Sequence, residues 1–257
     1  TSVKSRCQLS QIIRRWTGFR VSPDTPYVKI LAQHIQSFHQ NIVIDSQTMG
    51  SSDLRSKIVH SLDMPPVFWG DLWPSLYRLF EEVRRHSTVA ISGEAADEVF
   101  AGYRWFHDPK ALQADTFPWL IDATQKVFGS RHLLNQKFLE KLNLPGFVRE
   151  SYAQALAEVP RLSGESDQQH RIREISYLNL TRFVRALLDR KDRMSMAHGL
   201  ELRVPFCDHR LVQYAFNIPW EMKAFDGREK SILRAAAKDL LPTAIIEPVS
   251  YTHLRAH

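Results

Sequence analysis

Cysteine is scarce: Cys7 and Cys207 are the only two in 257 residues, and neither has a second cysteine at CxxC spacing. That excludes a disulfide framework and a cysteine-built metal site, and it suits a reducing compartment. No apolar run approaches the roughly 20 residues of a membrane helix, and the opening TSVKSRCQLS lacks the apolar centre of a signal peptide. A cytoplasmic protein with no membrane partner is the expectation. A concentrated basic stripe is missing too: 34 Lys and Arg stand against 28 Asp and Glu, and the excess of +6 is spread along the chain without interleaved aromatics. A nucleic-acid partner is therefore not expected. Internal repeats and low-complexity segments are also absent.

Hydrophobic residues at 44% and charged residues at 24% describe a globular chain large enough for a sizeable core. The apolar positions of YVKILAQHIQSFHQ recur at helical spacing and lead into a β-branched run, NIVID, at 41–45. A second helix, WPSLYRLFEEVRRH at 73–86, leads into STVAIS at 87–92, which is apolar without alternation and so reads as a strand buried on both faces. Helix, strand, helix, strand predicts a parallel α/β sheet. After Gly102 the strand signals stop, HDPKALQADTFPWL reads as a turn-rich connection, and the rest reads as helix interrupted by prolines. The last nine residues, VSYTHLRAH at 249–257, have no period and read as a cloning or assembly scar, leaving 1–248 as the domain.

Three segments carry candidate chemistry. In VAISGEAADEVFAGYRWF, an apolar strand ends in Ser92 and Gly93, and Glu94, Asp97 and Glu98 follow within five positions. Ligands in α/β sheets sit beyond the carboxyl ends of strands, and Gly93 lets the backbone come close to one. If a helix starts at the two alanines, Glu94 shares a face with Asp97 and Glu98, a repulsion of roughly 0.2–0.5 kcal/mol per exposed pair. Two readings stay open here: acids that merely complement the helix dipole, or carboxylates gathered around Mg²⁺ and nucleotide phosphates with one left over as a base.

In LLDRKDRMSMAHGLELRVPFCD, Gly199 ends a helix and the two methionines fill core. Arg190 and Lys191 read as a solvated face, and ELRVPF reads as a buried crossing stopped by Pro205. In FDGREKSILRAAAKDLLP, Asp226-Gly227 makes a turn or cap. Lys230 falls in the first turns of a helix striped by Ile232, Leu233, Ala236 and Leu240, where a cation gains only if an anion docks, and chance placement is the alternative.

Taken together, SGEAADEVFAGY at 92–103, DRMSMAHGLELRVPFCD at 192–208 and GREKSILR at 227–234 resemble the synthetase domain of the asparagine synthetase family, in the ATP-pyrophosphatase superfamily. The resemblance runs from about Asp24 to Pro242. It implies an adenine-nucleotide-binding α/β domain: a partial parallel sheet with a large helical C-terminal portion. The implied reaction uses ATP to turn a carboxylate into an acyl-adenylate, releases pyrophosphate, and lets an amine form an amide and AMP. By resemblance, Ser92 and Gly93 contact ATP, Asp97 binds Mg²⁺, Glu94 is the base toward the amine, and Lys230 stabilises negative charge on pyrophosphate and the tetrahedral intermediate. Asp192 and Arg193 would support structure or the pyrophosphate side, with Glu201 and Arg203 as scaffold.

The implied substrates are aspartate, or a peptide side chain, with ammonia or an amine. A glutaminase domain in the parent protein would supply the ammonia. Departures from the family pattern are Ala95 and Ala101 where glycine is usual, and Cys207 in place of an apolar residue. The family's pyrophosphate loop, Ser-Gly-Gly-x-Asp-Ser, is not among these 257 residues. Cys7 is internal and is not a glutaminase nucleophile, and the chain stops before the family's closing helices. A fragment is expected, with a β-lactam or macrolactam synthetase, or a non-catalytic nucleotide-binding module, as alternatives.

Overall fold

The computed structural model describes residues 8–15, 24–64, 72–121 and 135–247; for 8–15 and 43–46 only the backbone is described. Cys7 and the tail at 249–257 lie outside the described residues. In chain order we label β1 (Gln8–Arg15), α1 (Thr25–His34), β2 (Phe38–Asp45), α2 (Ser52–Leu62), α3 (Leu72–Arg84), β3 (Val89–Ile91) and α4 (Ala96–Val99). Then come α5 (Leu144–Ala157), α6 (Asp167–Leu178), α7 (Val184–Met196), β4 (Glu201–Arg203), α8 (His209–Phe216), α9 (Trp220–Lys223) and α10 (Ser231–Ala236). Two compact units result, one of Thr1–Glu94, Ala186–Pro205 and Leu233–His257, the other of Ala95–Arg185 and Phe206–Ile232.

The first unit holds both strand pairs, and both are parallel: β1 with β2 in the register Gln8↔Phe38, and β3 with β4 in the register Val89↔Glu201. The mixed α/β class with a parallel sheet is as the sequence predicts. The β3–β4 ladder continues past both ends, with the Glu201 amide donating to the Thr88 carbonyl at 2.9 Å and the Ser92 amide to the Arg203 carbonyl at 2.9 Å. Helical spacing builds the core beside it. Ser51 caps α2 by accepting from the Leu54 amide at 3.2 Å, and Leu54, Ile58 and Leu62 fall on one buried face. They meet Trp73, Leu76 and Phe80 of α3, together with Met194 and Leu200. Gly199, at φ +65°, ends α7 in the left-handed conformation that costs glycine nothing.

In the second unit, Ala101, Phe106 and Ile175 form one core cluster and Phe117, Tyr152, Ala155 and Leu178 another. Arg171 ties the end of the short helix Pro109–Gln113 to α6, donating from Nε to the Leu112 carbonyl at 2.9 Å and from Nη2 to the Ala114 carbonyl at 2.7 Å. Helix α6 starts on a capping box between Ser166 and Gln169.

Four expectations need correction. Strand structure does not stop at Gly102, because 201–203 is β4; three residues leave too short a run for periodicity to reveal. Nor is ELRVPF a buried crossing: Glu201 and Arg203 are exposed and pair with each other at 2.8 Å. Strand β3 is not buried on both faces, since Ile91 is 77% exposed; within the described residues its sheet has only two strands. Met194 is core as expected, but Met196 is exposed. Among the described residues no helix is long and apolar enough to cross a membrane.

Truncating Ile58 to Ala in the first-unit core is expected to cost about 2–5 kcal/mol, whereas Val59→Ala on the exposed side of the same helix should stay within about 0.5 kcal/mol. Urea denaturation of the two variants checks this.

Candidate functional site

The acidic motif divides between the two units, and each of its three carboxylates has its own partner. Glu94 is the last residue of the first unit's segment, just past the carboxyl end of β3. Lys191, on α7 of the same unit, reaches Glu94 Oε2 at 2.7 Å and donates to Ser92 Oγ at 2.8 Å. Ser92 Oγ also accepts from the Glu94 amide at 3.3 Å, and the Arg190 guanidinium lies 4.0 Å from the same Glu94 oxygen. Both cations thus address Oε2, and no ion pair or hydrogen bond to Oε1 occurs among the described residues. Lys191 and Arg190 were expected on a solvated face; instead Arg190 is buried and Lys191 half-buried. The alternating charges of the helix look alike whether they face water or a carboxylate, so sequence periodicity missed both.

In the second unit, Ala95 takes φ +72° and α4 begins only at Ala96. Glu94 is therefore not on that helix, and the predicted shared face with Asp97 and Glu98 does not form. Asp97 Oδ1 lies 2.9 Å from Lys230 Nζ. The lysine lies within ion-pair distance but off the hydrogen-bonding direction, leaving Oδ1 buried with no hydrogen bond. Glu98 turns inward, 2% exposed, and accepts from the Tyr103 hydroxyl at 2.6 Å. Tyr103 in turn stacks on Trp105 at 4.3 Å between ring centroids.

Backbone shape holds the Asp97 end in place. A Cβ at Gly102 would stand 1.9 Å from Asp97 Oδ1, so only glycine leaves room for that carboxylate. The two positions where the family pattern has glycine, Ala95 and Ala101, both adopt left-handed backbone at φ +72° and +55°. Each alanine stores roughly 1–2 kcal/mol that glycine would not.

Lys230 does the same at φ +55°, immediately before α10 rather than inside it, which corrects its predicted place in the first turns. The Asp226-Gly227 turn that delivers it is as expected: Gly227 is at φ +74°, and Asp226 Oδ1 accepts from the Arg228 amide at 3.0 Å and from the Ser231 hydroxyl. Burial pushes the Asp226 carboxyl up, but the bonds from Ser231 and Arg228 outweigh it and hold the group at about 2. The apolar stripe is shorter than predicted, because α10 ends at Ala236 and Leu240 is exposed.

Whether these residues suit Mg²⁺ can be judged from the donors. No group of three or more His, Cys, Asp or Glu is arranged to hold a metal among the described residues. The buried oxygen of Asp97, with no hydrogen bond, fits one ligand of a hard cation that takes its remaining oxygens from elsewhere. Glu98 Oε1 is taken by the Tyr103 hydroxyl.

Parallel strand pairs, with Ser-Gly-Glu beyond the carboxyl end of one of them, define a mixed α/β protein. The chain belongs to the asparagine synthase family, whose sequence pattern matches residues 2–248. It is 39% identical over 241 residues to glutamine-hydrolysing asparagine synthetase 3 of Bacillus subtilis (strain 168), an alignment covering 92% of this chain and 38% of that protein. Glutamine-hydrolysing asparagine synthetase 1 of the same organism is 29% identical over 66% of this chain, and the Homo sapiens asparagine synthetase is 25% identical over 89% of it. Each of those two is covered over 31% of its own length, so the chain spans about a third of the relatives it matches.

Replacing Lys191 by Met is expected to cost about 2 kcal/mol, because Glu94 loses its closest cation, and adding Glu94→Gln should recover part of the loss. A double-mutant cycle by thermal unfolding measures the coupling. Gly102→Ala is expected to destabilise by about 1–3 kcal/mol as its methyl group collides with Asp97, readable in the same assay.

Proposed function

We propose that this chain is part of an ATP-dependent amide ligase that makes asparagine from aspartate. What carries the reading, in a chain of this family, is Glu94: Lys191 and Arg190 hold one of its oxygens beyond the carboxyl end of β3, and the other is left to take a proton. In the proposed reaction the substrate carboxylate attacks the α-phosphorus of ATP, pyrophosphate leaves, and an acyl-adenylate results. Ammonia then attacks the acyl carbon, AMP departs, and Glu94 Oε1 accepts the proton that nitrogen loses.

Ser92 and Gly93 are assigned to the nucleotide. Lys230 is assigned to the negative charge that develops on the pyrophosphate and the acyl centre, and its strained backbone suits a side chain whose direction is fixed in advance. Asp97 would supply a protein oxygen to Mg²⁺, whose contribution when bound is to neutralise phosphate charge. The matched Bacillus proteins are named as glutamine-hydrolysing. For the whole protein we propose the same nitrogen source, through a glutaminase domain outside these 257 residues, acting in the cytoplasm. We take 1–248 as the partial synthetase domain and 249–257 as foreign to it.

Thermal unfolding of the chain with nucleotide tests the binding half of the proposal. Saturation at a hundredfold over Kd supplies about 2.7 kcal/mol, so Mg-ATP should raise Tm by roughly 5–10 °C. Asp97→Asn should remove the magnesium dependence of that shift. Glu94→Gln should keep the shift and abolish AMP release with aspartate and ammonia in any form of the protein that turns over. No shift with Mg-ATP, or an equal shift with ATP and EDTA, would overturn the nucleotide and metal assignments. Undiminished turnover in Glu94→Gln would overturn the base.

A further inference from the structure

The second unit carries a half-open cavity of about 280 Å³ that none of the three motifs lines. Its wall runs from the loop at 162–165 along α6 to the end of α8 and to α9. Lys223, the last residue of α9, lines it and is only 4% exposed. Long cationic side chains are almost never buried to this degree unless paired. Yet no carboxylate or hydrogen-bond acceptor meets the Lys223 side chain among the described residues. The ammonium is not among the fully enclosed polar atoms, so the lysine stem is buried while its charged end stays reachable by a ligand.

The other charges lining the cavity cancel. Arg173 Nε donates to Glu165 Oε1 at 2.7 Å, and its guanidinium lies 5.3 Å from the centroid of the Phe216 ring. Glu165 Oε2 accepts from the Leu162 amide at 3.2 Å and lies 3.2 Å from His170 Nδ1, so this carboxylate is fully engaged. What remains is one positive charge, that of Lys223, in a lining that joins apolar Ile172, Phe216, Ile218 and Trp220 to polar Gln169, Ser176 and Asn217. One charge and an apolar wall select a monoanion with an apolar body, and they disfavour the multiple charges of a nucleotide. A cavity of about 150 Å³ admits benzene. Here there is room for a ring and a carboxylate together.

We propose that this cavity is a binding site for a small organic monocarboxylate, with its carboxylate on Lys223 and its apolar body against Phe216, Ile218 and Trp220. The inference rests on geometry within the second unit alone and is independent of the nucleotide chemistry proposed above. Burial, reinforced by Arg173, lowers the Lys223 ammonium to about 8. The charged groups that line the cavity with it are Arg173 and Glu165, with His170 bound to Glu165 and Glu221 to Gln169. Burial pushes the Glu165 carboxyl up, but its bonds from Arg173, Leu162 and His170 hold it below the usual range, so Glu165 stays an anion while Lys223 loses its proton.

Calorimetric titration of the 257-residue chain with benzoate, with benzamide as its neutral counterpart and with inorganic phosphate, tests the site. One saturable benzoate site is expected at pH 7, with benzamide and phosphate at least tenfold weaker. Lys223→Met should abolish benzoate binding and leave the Mg-ATP shift unchanged. This variant is expected to fold, because methionine keeps the buried aliphatic stem of the lysine. Wild-type affinity should fall roughly tenfold per unit as pH rises above about 8, the ammonium being the bound form of the lysine. That arm needs no variant. Equal binding of benzoate and benzamide, an unchanged dissociation constant in Lys223→Met, an affinity flat from pH 7 to 9.5, or no benzoate binding at all would each overturn the proposal.

Discussion

A half-buried carboxylate set just past the end of a strand needs a cation, and in this protein the cation arrives from about a hundred residues later in the chain. Lys191 bridges Glu94 and Ser92, so the geometry of the Ser-Gly-Glu turn depends on α7 returning to the first unit and feeding β4 alongside β3. The ladder bond from the Ser92 amide to the Arg203 carbonyl fixes the same turn from its other side. Removing half of a largely desolvated pair exposes the other half to the cost of burial, which is why this contact governs the arrangement.

The second cluster is organised by backbone strain. Ala95, Ala101 and Lys230 all sit in left-handed conformations, and Gly102 leaves the space that the Asp97 carboxylate fills. Such conformations persist only where surrounding structure over-determines them. Here the anchors are the buried Glu98–Tyr103 bond, the aromatic packing around Trp105, and the Asp226 turn that presents Lys230. The two unstrained glycines that the family pattern suggests are replaced by alanines, and the loop keeps its shape at an energetic cost.

Much of the local structure was legible from periodicity. The helices at 25–34 and 72–84, the strand over 41–45 and the glycine stop at 199 follow from apolar spacing and turn residues, but the strand begins at Phe38, in residues whose spacing reads as helix. The short strand at 201–203 was not legible, because three residues carry no period. Of the candidate site, Ser92, Gly93, Glu94, Asp97 and Lys230 were marked by residue type and by a resemblance that the family match bears out. Lys191, Arg190 and Lys223 were invisible: a lysine's role depends on what faces it, and nothing in a local window says whether that is water, a carboxylate or a cavity.

By itself, then, the sequence determined the α/β class, the family, and the motif from which the chemistry is drawn, since those are matters of residue type, order and spacing. Tertiary structure decided which charge meets which. It gave Lys191 to Glu94, Lys230 to Asp97 and a hydroxyl to Glu98, and it left Lys223 unpaired. Coulomb energy depends on distance and on the water excluded between charges, and both are set only when distant segments pack together.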